Sequence, residues 1–268
     1  MVVMYRRSAY PAILLPLQPK MNRVVLVTGG SRGIGAATAV LAAQRGFAVA
    51  VNYTRNSQAA LDVVRSIVDG GGDAMAVHAD VADEAQVEAM FSQIDAELGA
   101  LTGLVNNAGV VDLAARVDAM DMRRLRRMFD TNVLGSFYCA RQAIRRMSTR
   151  YGGTGGAIVN VSSMAARLGG ASQYVDYAAS KGAIDTFTVG LARELATEAI
   201  RVNGVRPGII ETDIHASGGD PDRARSMAPQ VPMRRAGSAA EVAQAIVWLL
   251  GDEASYCTGT FVDVAGGR

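Results

Sequence analysis

Thr28-Gly29-Gly30-Ser31-Arg32-Gly33-Ile34-Gly35 stands between a short apolar strand at 23–28 and an alanine-rich helix at 33–45. Glycines at such a junction let the backbone turn tightly and approach a pyrophosphate, whose charge meets the helix N-terminus. The spacing, Gly29-x3-Gly33-x-Gly35, departs from the usual G-x-G-x-x-G, so the weight of the dinucleotide reading rests on the strand–turn–helix context. A glycine-rich turn that merely packs close is the plain alternative.

Outward from this turn, strands are expected at 47–52, 74–79 and 101–106, with helices at 57–68 and 84–98. In the last helix Val87, Phe91, Ile94 and Leu98 share one face. The strands are short and apolar throughout, as in a parallel sheet covered on both sides. Repeated alternation of strand and helix is the doubly wound pattern, and right-handed crossovers restrict its topology. The second half continues it, with a helix in two pieces over 121–147, a loop at 152–156 and a strand at 157–162. A long helix at 176–199 follows, then strands at 201–205 and 260–264. Ser238, with Glu241 three residues on, reads as the N-cap of a helix running to about residue 250. The polar stretch 213–236, with Gly218-Gly219, Pro221, Pro229 and Pro232, reads as a mobile segment over the site or a plain surface insertion. These elements predict an α/β fold of about seven strands flanked by helices on both faces. No linker divides it, so 21–268 is expected to be a single domain. Residues 1–20 read as an N-terminal arm, with Met21 as an alternative start. Pro11, Pro16 and Pro19 break the apolar run after Arg6 and Arg7, which argues against a signal peptide.

Half of the 268 residues are hydrophobic and 19% are charged, which excludes a wholly disordered chain. The net charge of +2 gives no argument for nucleic acid or an anionic membrane as partner. Arg123, Arg124, Arg126 and Arg127, then Arg141, Arg145, Arg146 and Arg150, form a basic helical region, read as a solvated face paired with nearby acids. No apolar run is long enough to span a membrane. Two cysteines, Cys139 and Cys257, make no disulfide framework and suit a cytoplasmic location. Two histidines leave no zinc cluster, so no metal is expected.

The chain carries 27 − 2 = 25 arginines and two lysines, Lys20 and Lys181. Arginine does not release its proton at useful pH, so an isolated lysine in such a chain draws notice. Tyr177 and Lys181 lie four apart on a predicted helix and share a face. A nearby ammonium favours a phenolate, which would bring the tyrosine below its ordinary value of about 10 and make the pair an acid/base unit. A tyrosine at a helix start beside a solvated lysine is the alternative. The second strand ends Asn52-Tyr53-Thr54-Arg55, without the carboxylate that would accept the ribose hydroxyls of NAD. Arg32 and Arg55 are placed to meet a 2′-phosphate, which favours NADP(H) and keeps NAD(H) as the other possibility.

In this arrangement the chain resembles the short-chain dehydrogenase/reductase family over roughly 22–267. Residues 28–35 match its T-G-x-x-x-G-x-G turn. Asn106-Asn107-Ala108-Gly109 matches the motif after its fourth strand, and Tyr177-Ala178-Ala179-Ser180-Lys181 matches its Y-x-x-x-K. The resemblance implies a Rossmann-like fold and hydride transfer between a nicotinamide cofactor and a small-molecule carbonyl or secondary alcohol. It implies Tyr177 as proton donor, Ser163 as the hydroxyl on the same oxygen and Lys181 on the nicotinamide ribose. Asn132 would hold a water that relays protons to Lys181. Ser162 is the alternative to Ser163, and the interval from either to Tyr177 is longer than the family's usual one. The stretch Gly169-Gly170-Ala171-Ser172-Gln173-Tyr174 carries this small insertion, expected at the substrate rim. Asp80 with Val81 is implied beside the adenine, Pro207-Gly208 beside the nicotinamide, and Thr212 near the carboxamide or pyrophosphate. Gly29, Ser31, Arg32, Gly33, Ile34, Gly35, Asn52, Tyr53, Arg55, Asn107, Ala108, Gly109 and Ile210 complete the implied cofactor contacts. A homotetramer or homodimer is implied as well. Reduction of 3-oxoacyl groups on an acyl carrier protein is the runner-up activity, whose acidic partner would suit the basic region.

Overall fold

Val24, Val25, Leu26 and Val27 of β1 (Arg23–Val27) are all fully buried because helices cover both faces of the strand. Side chains alternate across a strand. Val24 and Leu26 therefore join one core, while Val25 and Val27 join the other. The computed structural model describes residues 23–268, so the expected arm at 1–20 lies outside the described residues.

Seven parallel strands build the sheet: β1, β2 (Phe47–Tyr53), β3 (Ala74–His78), β4 (Leu101–Asn106), β5 (Gly156–Val161), β6 (Ile200–Pro207) and β9 (Phe261–Val264). Their order is β3-β2-β1-β4-β5-β6-β9. Val27 lies in register with Val51 of β2 on one side and Val105 of β4 on the other. The chain thus winds one way from β1 to β3 and the other way from β4 onward. Between β1 and β4 lies the reversal point, where such sheets open a crevice beyond the strands' carboxyl ends. A short second pair, β7 (Ile210–Glu211) and β8 (Gly237–Ser238), sits beyond β6.

One face is covered by α1 (Gly33–Gln44), α2 (Ser57–Asp69) and α10 (Ala239–Leu250), and the other by α3 (Glu84–Glu97), α5 (Gly135–Met147) and α7 (Val175–Leu195). Local chemistry starts two of these helices, α10 as expected. Asp83 accepts from the backbone N–H groups of Ala85 and Gln86, and Ser238 with Glu241 closes a reciprocal capping box. The 121–147 region is indeed divided: α4 (Met122–Phe129) meets α5 through a π-helical turn, Asp130–Leu134, which carries Asn132. Such turns inside helices often mark functional sites. The stretch 213–236 is a folded wall containing α8 (Ile214–Ser217), α9 (Arg223–Met227) and a 3-10 turn, Ala228–Gln230. No helix among the described residues is long and apolar enough to cross a membrane.

Candidate active site

At the N-terminus of α1 the backbone needs glycine. Gly29 and Gly33 have φ of +60° and +53°, in the region that favours glycine. A Cβ on Gly35 would lie 2.3 Å from the Gly29 carbonyl and 2.6 Å from Asn107 Nδ2. The turn is pinned from below. Asn52 Oδ1 accepts from the Gly29 N–H at 3.1 Å, and its Nδ2 donates to the Ala79 carbonyl at 3.0 Å. Asn107 Nδ2 donates to the carbonyls of Thr28 and Gly29, while Thr28 Oγ1 accepts from the N–H groups of Asn107 and Ala108. Asn52 and Asn107 therefore hold the turn, their amides engaged inward. Arg32 occupies the N-cap of α1 without a capping side-chain hydrogen bond, and no acid lies in the first turn. Backbone donors at the positive end of α1 are left for an anion, with no side chain capping them, which fits a dinucleotide pyrophosphate. Ser31 is half-buried at this turn, and Ile34 lines the adjoining cleft.

At the end of β2, Tyr53 is half-buried edge-on to His78, and Arg55 is exposed. Neither Arg32 nor Arg55 forms an ion pair with a carboxylate among the described residues. Asp80 accepts from the Ala82 N–H at 3.0 Å, and the buried Val81 packs on Gly135, leaving no room there for a Cβ.

The cleft beside the turn encloses about 570 Å³. Ser163, Tyr177 and Lys181 line it, with Asn107, Gly109, Pro207, Gly208, Ile210 and Thr212. Tyr177 is half-buried, one turn before the buried Lys181 on α7. Of the two serines, Ser163 is the one that acts on the Tyr177 phenol. Ser162 is nearly fully buried and donates to the Lys181 carbonyl instead, at 3.2 Å. Lys181 Nζ donates to the Val161 carbonyl at 2.7 Å and lies 5.8 Å from the Tyr177 ring centroid.

The electrostatics differ from the expectation for the pair. Burial pushes the Tyr177 phenol above its ordinary value, and the Ser163 hydrogen bond offsets this in part. Lys181 is pulled down to about 8 by burial, opposed by the charge of Asp185 one turn further on. Spacing gives the pair a common face but not its burial, which here disfavours both charged forms. In this chain by itself the phenol keeps its proton rather than yielding it to the lysine's field.

Asn132 is held by contacts on both sides of its amide. Its Oδ1 accepts from Val110 N–H at 2.7 Å, and its Nδ2 lies within hydrogen-bonding distance of the Val110 carbonyl, Ser180 Oγ and Met128 Sδ. The side chain is engaged in fixing the backbone at Val110. Four residues absent from the sequence-level site also meet here. Asn160 and Thr188 extend a buried relay from Asn106, at 2.9 Å for each step. The signal for Asn160 was a lone amide inside an apolar strand. Arg124 makes a two-point ion pair with Asp176, the neighbour of Tyr177, at 2.7 and 3.2 Å.

The family model described as Enoyl-(Acyl carrier protein) reductase matches residues 29–268. The chain belongs to the short-chain dehydrogenase/reductase family. It is 56% identical over 245 residues to the uncharacterised oxidoreductase YgfF of Escherichia coli, covering 91% of this chain and 99% of that protein. It is 37% identical over 250 residues to 3-oxoacyl-[acyl-carrier-protein] reductase FabG of Staphylococcus aureus, covering 92% and 98%. A solved short-chain type dehydrogenase/reductase from Mycobacterium marinum superimposes with a TM-score of 0.85 at 34% identity, covering 91% and 94%. The protein is thus an NAD(P)(H)-dependent oxidoreductase acting on CH–OH and C=O groups of small molecules.

Proposed function

We propose that this enzyme uses NADP(H) and reduces a small-molecule carbonyl, with Tyr177 as general acid and Ser163 as a second donor to the same oxygen. Lys181 is the cation on the nicotinamide ribose, and Asn132 is a positioning residue. The observation that carries this reading is that Ser163, Tyr177 and Lys181 line one cleft, with Lys181 on the helix face of Tyr177. Bound NADPH supplies the hydride at nicotinamide C4. Tyr177, held protonated by burial, is suited to give its proton to the developing alkoxide. Ser163 donates where negative charge develops. Lys181 has three N–H donors and engages Val161 with one, which leaves two for a diol.

Cofactor choice rests on Arg32 and Arg55, exposed and without ion pairs among the described residues, at the end of a strand that lacks a carboxylate. Titration followed by nicotinamide fluorescence is expected to give a Kd for NADPH about tenfold or more below that for NADH. The joint Arg32→Ala/Arg55→Ala variant should bring the two together. Equal affinities in the unaltered protein would remove the 2′-phosphate assignment and leave the chemistry in place.

A pH profile tests Lys181. Its lowered value means that the ammonium is present below about 8 and lost as pH rises through it. The ratio kcat/KM for the nicotinamide cofactor reports groups in the free enzyme. It is expected to hold steady through neutral pH and decline above about 8, and a profile flat to about pH 10 would sink the assignment.

A 3-oxoacyl group on an acyl carrier protein is the second reading, supported by the Staphylococcus aureus relative. The basic region gives it less support than its arginine count suggests. Arg124, Arg127, Arg141 and Arg146 pair with Asp176, Asp112, Glu84 and Asp95. Arg123, Arg126 and Arg145 are the exposed arginines of the region that form no ion pair among the described residues, and an acidic carrier would meet those. A homotetramer or homodimer is part of the proposal, supported by the exposed Phe129, Leu134 and Phe137 between the end of α4 and the start of α5 and by Trp248 on α10. The unpaired Cys139 and Cys257 suit a reducing compartment such as the cytoplasm.

A further inference from the structure

Arg223 of α9 lines the cleft on the wall built by the 213–236 stretch. Its guanidinium carbon lies 5.1 Å from the centroid of the Tyr174 ring, and its Nη2 donates to Gln173 Oε1 at 3.0 Å. The Tyr174 hydroxyl donates in turn to the Gly218 carbonyl at 3.4 Å. The inserted rim and the wall opposite it therefore hold the guanidinium between them. A guanidinium carries five N–H donors in a fixed fork, and one is engaged by Gln173. The nearby Asp222 turns instead to Arg225, at 3.8 Å. No carboxylate among the described residues pairs with Arg223, and no aspartate or glutamate lines the cleft, whose charged residues are Lys181, Arg223 and Arg268. A positioned cation in a concave wall without an aspartate or glutamate beside it raises the local concentration of anions. Its planar fork matches the paired oxygens of a carboxylate or phosphate.

The place of this charge relative to the chemistry gives it meaning. Tyr174 precedes Tyr177 by three residues, about one helical turn. A substrate whose carbonyl meets Tyr177 and Ser163 would bring a group a few bonds away to Arg223. We infer that the substrate is an anionic carbonyl compound whose carboxylate or phosphate is held by Arg223. The inference rests on the oxidoreductase reading of the cleft for the position of the reacting carbonyl. Arg223 is then a specificity-determining residue, and Gln173 and Tyr174 are the groups that orient it.

Calorimetric titration of the cofactor-loaded protein reads this contact without requiring turnover. Two matched pairs serve as probes: 4-oxopentanoate with its methyl ester, and dihydroxyacetone phosphate with dihydroxyacetone. In at least one pair the anion is expected to bind about tenfold or more tightly than its neutral mate, and the pair that does so tells carboxylate from phosphate. Arg223→Gln is expected to bring that ratio to within about twofold, and Arg223→Lys to keep part of it. A ratio near one in both pairs, or a preference that survives Arg223→Gln, overturns the inference. Turnover assayed beside binding separates the two claims. Arg223-dependent anion binding without any Tyr177-dependent nicotinamide oxidation would overturn the placing of the reacting carbonyl at Tyr177 and leave the anion site standing.

Discussion

Tyr177→Phe is expected to lower kcat for carbonyl reduction about a thousandfold, in the middle of the range for losing a positioned general acid. That loss corresponds to roughly 4 kcal/mol of barrier. The phenyl ring keeps the packing of α7 against the cleft wall, and only the hydroxyl facing the cleft is removed. NADPH affinity should therefore stay within about twofold, because the glycine turn and the uncapped start of α1 are untouched. Single-turnover measurement of NADPH oxidation separates this from a change in product release. Ser163→Ala should cost less, since it removes one donor to the oxygen and leaves the proton source. Turnover in Tyr177→Phe equal to that of the unaltered enzyme would remove Tyr177 from the chemistry.

Where physics acts locally along the chain, the sequence is readable. Strands β1, β2 and β5 are buried on both faces, so each appears as a mostly apolar run, and Gly29-Gly30 marks where β1 stops as Pro207-Gly208 does for β6. Ser238 and Glu241 are three apart, and their capping box needs nothing else. Tyr177 and Lys181 stand out because helical spacing joins them and lysine is scarce in an arginine-rich chain. The same arginine richness hides Arg223 and Arg124, whose partners lie about fifty residues away, where no period connects them. Asn52 lies next to the last residue of β2, a position that suggests a side chain facing the cofactor, yet strand position does not reveal that its amide turns inward to Gly29 and Ala79. The direction in which Tyr177 is shifted is hidden as well. It depends on how much protein surrounds the hydroxyl, and residue spacing carries no measure of that.

Asp176→Ala is the substitution expected to cost most in stability. The Asp176 side chain is fully buried, and that of Arg124 is 11% exposed. Their two hydrogen bonds, at 2.7 and 3.2 Å, keep the Arg124 guanidinium more firmly protonated than an ordinary arginine. Removing the carboxylate leaves a largely buried cation without its partner, a loss of about 3–5 kcal/mol. Unfolding in urea should show it directly, and Tm should fall by roughly 10 °C for a chain of this size. Arg124 also donates to the Leu113 carbonyl at 2.7 Å, so the pair ties the segment after β4 to the start of α7. That segment supplies Val110, which Asn132 grips, and Val111, which lines the cleft. A weakened pair should thus raise KM for the carbonyl substrate at temperatures where the chain is still folded. The Arg124→Met/Asp176→Leu double variant separates the cost of a stranded charge from the cost of missing side-chain packing. If the single substitution is costly because the cation is unpaired, removing both charges recovers much of the stability, because an apolar pair carries no desolvation cost. Single-variant losses that simply add in the double variant would mean that the two side chains act independently. The start of α7, and Tyr177 with it, would then be held by packing alone.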